Sequence, residues 1–532
     1  MTSKHFDVVV LGRSIGALTV AALLARRDFT VLVLGQGERG STYRLDKRVL
    51  LRRSFTMLGA TTPTWRKVVV ELAQSQTWKR RLTAASPMLQ ILAPRRRIEI
   101  PPDTALFGRE IDREYPELRR LVDDLYDELS RVNGAADEAF EHDALWPPGT
   151  FWERRETNRY AALLPHARAQ PDADLLSEFP RGHAFRQIVA ASTLFATDLS
   201  QLPPPFAVAR LHGAWTRGLF TLARGEEELE EFLVDRITAH GGRCLFEDRA
   251  AALYLRRGQC AGVLVDGDVE HTGASFVITD GDGESIAALA GGEGINKRAQ
   301  REWPRITSSV GRFVVSLVVA REGLPEPLGH ESFLLPGDRP ALGSVGSEAR
   351  PSASVGKSTP PGFKPVVKLQ RTGRAGEDER EELLVAEILL PERGPLAPHD
   401  ARYAVLHALA GELPFLERHL RVVDSVHDGL PAWVFENGKR RPVDRGSLKG
   451  AASAAEPMVR KLDVDPPGYL GLGGEPIRGP VDRTLLVGPS VLPGLGQEGQ
   501  LLAAWGAARL VTRTDRQKER MRRDMWSKVE IG

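Results

Sequence analysis

The sequence predicts an α/β fold in which one parallel sheet is assembled from both ends of the chain and a second, α+β domain is inserted between them. Three observations predict it. Residues 1–34 read as strand, glycine turn, helix and strand. Residues 484–511 repeat that logic with a short apolar strand, a glycine-rich turn and an apolar helix. Between them, residues 218–300 carry an amphipathic helix followed by short alternating strands.

Taken in order, Asp7-Val-Val-Val-Leu11 is continuously apolar, as a strand covered on both faces must be. The turn Gly12 to Ala17 leads into a helix through Leu18, Ala21, Ala22, Leu24 and Ala25, and Thr30 to Leu34 is the next strand. That is a βαβ unit with a right-handed crossover. From Leu50 to about Glu141 the chain reads as helical, with apolar spacing at Leu118, Leu121, Val122, Leu125 and Leu129. Pro147-Pro148 and Pro203-Pro204-Pro205 bound another helical stretch that contains His183 to Phe195. Glu227 to His240 is an amphipathic helix stopped by Gly241-Gly242. Strands are expected at Arg243 to Phe246, Ala250 to Leu255, Gln259 to Val265, Phe276 to Asp280, Arg312 to Val319 and Leu383 to Leu390, with a helix at Ala401 to Leu413. Val345 to Pro365, rich in Ser, Gly, Pro and Lys, reads as a mobile loop or long hairpin tip. The first domain then takes residues 1–50, 218–300 and 480–512, the second 51–217 and 301–479, and a basic amphipathic tail 513–532.

The length of 532 residues is several times that of an ordinary domain of roughly 150. With 42% apolar residues, 27% charged and a mean hydropathy of -0.25, the balance is that of a globular chain. Lys and Arg total 72 against 70 acids, a net charge of +2, which leaves no field for non-specific nucleic-acid binding. Cys244 and Cys260 are too few for a disulfide scaffold or a zinc site, and the histidines show no metal-ligand spacing. No secretory leader and no apolar run of the roughly 20 residues a membrane span needs is legible, so a cytoplasmic protein is expected. Arg513 to Lys528 carries seven basic and three acidic residues around Met521, Met525 and Trp526. It reads either as a peripheral contact with anionic membrane or as a charged helix face in water.

Two motifs carry the functional reading. Gly12-x-Ser14-x-x-Ala17 stands where the dinucleotide fingerprint G-x-G-x-x-G/A belongs, between a strand and a helix whose first N–H groups can face a pyrophosphate. Serine replaces the second glycine, and the acid expected about 20 residues on, to bond a ribose, falls on Gly35. A tight turn without nucleotide is the plain alternative. The same turn also spells G-x-S-x-G, the elbow of a serine hydrolase with Ser14 as nucleophile. The second motif is Leu485-Leu-Val-Gly-Pro-Ser-Val-Leu-Pro-Gly-Leu-Gly-Gln-Glu-Gly499, whose following helix opens toward an anionic or electron-rich ring edge.

Asp7 to Leu34, Gly218 to Val265, Val277 to Asp280 and Gly488 to Ala508 together resemble the phytoene desaturase and carotenoid isomerase family of FAD-dependent oxidoreductases. The resemblance implies an FAD/NAD(P)-binding Rossmann-like domain with an inserted substrate-type domain. It also implies a desaturase-like or isomerase-like activity on a hydrophobic unsaturated substrate such as a carotenoid or other isoprenoid. It puts the FAD pyrophosphate on Gly12, Arg13, Ser14, Ile15, Gly16 and Ala17, with Asp280 at the neighbouring strand end. It puts the adenosine on Gly35 and Gln36, and the adenine against the backbone of Ala250 and Ala251. The isoalloxazine would lie beside Gly488, Pro489, Ser490, Gly496, Gln497 and Gly499, with Glu498 as the acid to test or, read plainly, a helix-start charge. The chain departs from the family at Ser14, at Gly35, at Arg39-Gly40 in place of a Gly-Gly pair, and at Leu495 and Glu498 within the last glycine run. A second reading follows from those departures: a cofactor-free binding or scaffold protein, resembling Rab GDP dissociation inhibitors. Phe206, Trp215, Phe220, Trp433 and Phe435 read either as a tunnel for an apolar substrate or as core.

Overall fold

The computed structural model describes residues 5–168, 173–336, 365–394, 396–436 and 438–515. Val8 to Leu11 are fully buried because β1 (His5–Leu11) runs mid-sheet, paired in parallel with β2 (Val31–Leu34) on one side and Thr272–Thr279 on the other. Helix α1 (Ile15–Arg26) buries every residue from Gly16 to Ala25. It packs against the helices Glu226–Ala239 and Gly496–Thr512, so no face is left for charge before Arg26.

Among the described residues this first sheet has seven strands, in the order Ala250–Arg256, Gln259–Val265, Thr272–Thr279, β1, β2, Arg243–Leu245, with Thr484–Leu486 off that path. The free edge of Thr272–Thr279 is shared. Its start pairs antiparallel with Gln259–Val265, and its end, Val277 to Thr279, pairs in parallel with Thr484 to Leu486. That pairing returns the C-terminal strand to within one strand of β1, with both strand ends on the same side. The architecture is the α/β one expected, a parallel-strand sheet of Rossmann-like type beside a second sheet domain.

The second sheet, ten-stranded among the described residues, is built on Arg305–Ala320. Glu381–Pro391 pairs along one edge of that strand, and Val459–Asp465 and Leu420–Asp424 divide the other. Alternation decides what each face buries. Phe313, Val315, Leu317 and Val319 pack with Ala401, Val405 and Leu409 of the helix Pro398–Glu412, while Val314 and Val318 pack with Tyr43, Leu45 and Leu50.

Two differences from the sequence reading follow. The hairpin Thr42–Leu45 and Arg48–Leu51, read as part of the first domain, covers the second sheet instead. Tyr43 Oη donates to the buried Asp424 at 2.8 Å, and the Leu51 amide donates to Ser316 Oγ at 3.0 Å. Within the stretch read as helical lies a second hairpin, Leu89–Ala93 with Arg96–Ile100, which pairs with Glu331–Leu334. Its strands are five residues each, too short for the period to separate from helix. Residues 345–364 and 516–532, which hold most of the loop and tail readings, lie outside the described residues. No described helix is long and apolar enough to cross a membrane.

Candidate cofactor site

The turn after β1 is shaped by a carboxylate. Gly12 takes φ +116, where a glycine is favoured, and a Cβ there would fall within the carboxyl group of Asp280. Arg13 N and Ser14 N both donate to Asp280 Oδ2, at 3.0 and 2.8 Å. Ser14 caps α1, its hydroxyl accepting from Ala17 N at 3.2 Å, which explains a hydroxyl where the fingerprint has glycine. Ile15 and Gly16 supply the remaining first-turn N–H groups, which helix geometry leaves without i−4 partners. Gly16 has its own reason to lack a side chain, since a Cβ would collide with the Val487 carbonyl oxygen.

Two acids converge here. The Glu38 carboxyl lies close to the Arg13 backbone and is pushed up to about 8, by the protein packed around it first and by the Asp280 charge second, against the pull of Arg53. Glu38 keeps an exposed outer side. Burial likewise raises Asp280 above the usual carboxylate range, against its hydrogen bonds from Ser14 and Arg13. The nearby cations are engaged elsewhere: Arg13 Nε donates to Glu230 at 2.7 Å and its head lies 4.4 Å from the Phe246 ring. Arg53 bonds Glu226 twice, at 2.5 and 2.9 Å. Gly35 is glycine because a Cβ would collide with the Phe246 carbonyl. An acid does stand further along this loop, at Glu38, which sequence reasoning missed; the Gly-Gln-Gly-Glu-Arg-Gly run is its signal in the sequence. At the loop where an adenosine was expected, Gln36 Oε1 accepts from Ala250 N at 2.7 Å, and Ala251 beside it is exposed.

The C-terminal turn is brought against the first one. A Cβ on Gly488 would collide with the Asp280 carbonyl, so Asp280 touches both glycine turns, one through its side chain and one through its backbone. Pro489 follows, and the buried Ser490 accepts at its carbonyl from Glu475 N at 2.9 Å. Gly496, at φ +52, starts the helix Gly496–Thr512 against the Ala196 carbonyl, and Gly499 meets Leu492. Gln497 bridges outward, Oε1 accepting from Gly59 N at 3.2 Å and Nε2 donating to Thr56 O at 2.7 Å. Glu498 is buried, and both its oxygens are held by Arg210, at 2.7 and 2.6 Å, which also pairs with Asp137 at 2.7 Å. That is a fixed buried charge pair, not a free acid. A void of about 20 Å³ between Leu58, Ala196, Arg210 and Gln497 has room for one water.

Next to Gln497 lies a charged cluster that sequence reasoning did not find. Thr56 Oγ1 donates to Glu331 at 2.7 Å, Gln370 Nε2 to Glu331 at 2.6 Å, and Lys368 Nζ to Thr56 at 2.9 Å, while Ser54 bonds Glu387. Burial opposes the Glu331 charge, but Lys368 and His330 outweigh it and hold the carboxyl below its usual range. The alternation Lys368-x-Gln370 on one strand was the only local signal.

The described residues also leave a cavity of about 1330 Å³ walled by Leu176, Val189, Leu199, Leu202, Val208 and Leu470, with Asp463 and Arg186 among its polar groups. The segment before it ties to the C-terminal turn, through Asp198 N to Pro493 O at 2.9 Å and Gln500 Nε2 to Asp198 at 3.3 Å. Phe206 and Trp215 are core residues of the first cluster, Trp433 belongs to another beside Tyr403, and none of the five aromatic candidates lines the cavity. Ser14 finds Ala17 and Asp280 rather than a histidine, so the hydrolase reading lacks its base.

No protein-family model matches the chain, and no curated protein matches it in sequence. Solved structures do. An oxidoreductase from Methanosarcina mazei superposes with a TM-score of 0.52 at 14% identity, over 94% of this chain and 99% of its own. A protein from Pyrococcus furiosus gives 0.52 at 14%, over 95% and 97%. A cofactor-binding redesign of putrescine oxidase gives 0.52 at 14%, over 96% and 99%. The likeness is one of fold. It spans both sheets, so the inserted second domain as well as the Rossmann-like one has counterparts of nearly full length.

Proposed function

We propose that this chain is an FAD-dependent oxidoreductase acting on a hydrophobic unsaturated molecule, of desaturase or isomerase type. The observation that carries the reading is the pair of glycine turns, Gly12 to Ala17 and Gly488 to Gly499, brought side by side at Asp280 so that one ligand could lie against both. Two of the structures that share the fold are themselves an oxidoreductase and an oxidase. The polypeptide frame fits FAD in kind: the Ile15 and Gly16 N–H groups for the pyrophosphate, Glu38 for the ribose, and the backbone at Ala250 for the adenine. The N-terminus of the helix Gly496–Thr512 would face the ring. When bound, FAD supplies the hydride acceptor. The protein's part is to orient the ring with that helix and to exclude water through the Gln497 bridge to Thr56 and Gly59. The 1330 Å³ cavity, whose lining residue Leu199 follows the Asp198 that bonds Pro493, supports an apolar substrate of isoprenoid size.

A second reading has an observation of its own. Asp280, Gln36 and Gln497 already satisfy groups that a cofactor would use, which favours a cofactor-free binding protein on the same fold. One measurement separates the two: the visible spectrum of the purified full chain, followed by titration with FAD. Flavin bands, released as FAD on heating, are expected. A colourless protein that leaves added FAD unperturbed overturns the oxidoreductase reading and leaves the binding protein.

A further inference from the structure

We propose that Asp280 is an internal competitor for the cofactor's pyrophosphate, occupying the anion seat at the start of α1 and setting how tightly that seat takes FAD. This rests on the FAD reading and goes beyond it. The seat is recognisable by its glycine: the space that a missing Cβ leaves at Gly12 is where a phosphate oxygen would approach, and the Asp280 carboxylate stands in it. Two backbone donors of the turn, Arg13 and Ser14, already point at Asp280 Oδ2. Capping alone does not account for this arrangement. Ser14 caps α1 from within the chain's own turn, whereas Asp280 reaches in from the end of the neighbouring strand, 266 residues further on.

Charge makes the competition strong. Glu38 lies near enough to the same turn for the Asp280 charge to act on it, so two carboxyls meet there. Among the charged groups around them, the Arg13 and Arg53 heads are engaged by Glu230 and Glu226. A diphosphate entering here meets the Asp280 carboxylate, and Glu38 too once that group ionises, with the two nearby arginine heads already engaged. The seat therefore opens when Asp280 turns aside or loses its charge, and FAD binding to the native chain tightens as pH falls.

The test compares the full-length chain with Asp280→Asn, which keeps an oxygen to accept from Arg13 and Ser14 but removes the charge, and with Asp280→Ser as a smaller replacement should the amide misfold. FAD binding is read by quenching of flavin fluorescence at pH 8 and pH 6, and the melting temperature is read with and without inorganic pyrophosphate. Affinity for FAD at least tenfold tighter in Asp280→Asn at pH 8, with the gap narrowing at pH 6, is expected. Equal or weaker affinity in both variants, with cooperative melting intact, overturns the proposal. If neither chain binds FAD but pyrophosphate raises the melting temperature of Asp280→Asn and not of the native chain, the internal competitor stands and the FAD reading falls. If neither ligand distinguishes the chains, both fall.

Discussion

At the scale of the residue, the same atom types serve cofactor chemistry and plain architecture, and only their partners tell which. Glu498 was the acid singled out from its place beside the last glycine run. Its two oxygens are held by Arg210 inside the protein, so its loss leaves a buried guanidinium with the Asp137 carboxylate and the neutral Asn133 as partners. Glu498→Gln is expected to cost about 3 kcal/mol, read as a lower midpoint in urea unfolding, and an unchanged midpoint would return Glu498 to the list of free acids. Glu38 behaves oppositely. Its carboxyl lies at about 8 in the folded protein against 4.5 for the ordinary group, so the fold holds this proton more firmly than the unfolded chain. Its stabilising effect is complete below pH 4.5 and is lost as pH rises through about 8. Melting temperature should therefore fall over that range, and Glu38→Gln should flatten the slope. An identical slope in the variant would assign the effect to another group, Asp280 first.

At the scale of the element, glycines decide how closely strands and helices meet. Gly35 ends β2 against the Phe246 backbone, and Gly488 lies against Asp280. An acid at position 35 would match the ribose-binding pattern, yet Gly35→Asp places a Cβ on a carbonyl that has no room to shift. The expected result is destabilisation of about 3 kcal/mol with no gain in FAD affinity. Tighter FAD binding in a stable Gly35→Asp chain would mean that the Phe246 loop yields. The βαβ unit is legible in the sequence because its signals lie within residues 7 to 34: a continuous apolar strand, a glycine turn, an apolar helix. The hairpin Leu89–Ala93 with Arg96–Ile100 was not, because short strands take their identity from the neighbour they pair with, here Glu331–Leu334.

At the scale of the whole molecule, the first sheet depends on the end of the chain. The strand Thr484–Leu486 and the helix Gly496–Thr512 bury nearly every residue against β1's neighbours and α1, and Arg27 reaches Thr512 at 3.0 Å while pairing with the buried Glu71. A chain ending at residue 479 is expected to lose cooperative unfolding in a circular-dichroism melt, because the core of the first sheet would lie open. A sharp transition in that truncated chain would show the remaining strands to be self-sufficient.

What the sequence by itself determined is whatever a short window can carry: the α/β class, the two glycine turns, the strand and helix that flank each, and the expectation that the two ends of the chain act together. Periodicity and turn chemistry are local properties, and they were sufficient for that. Only the tertiary structure decided what the turns hold. Asp280 reaches the Gly12 cradle and bonds Ser14 across 266 residues of chain, an acid stands at Glu38 where position 35 has no space for one, and Arg210 closes on Glu498 from a separate helix. The physical reason is the same in each case. Whether a backbone donor or a carboxylate is open to a ligand depends on which distant group reaches it first, and that is fixed by packing.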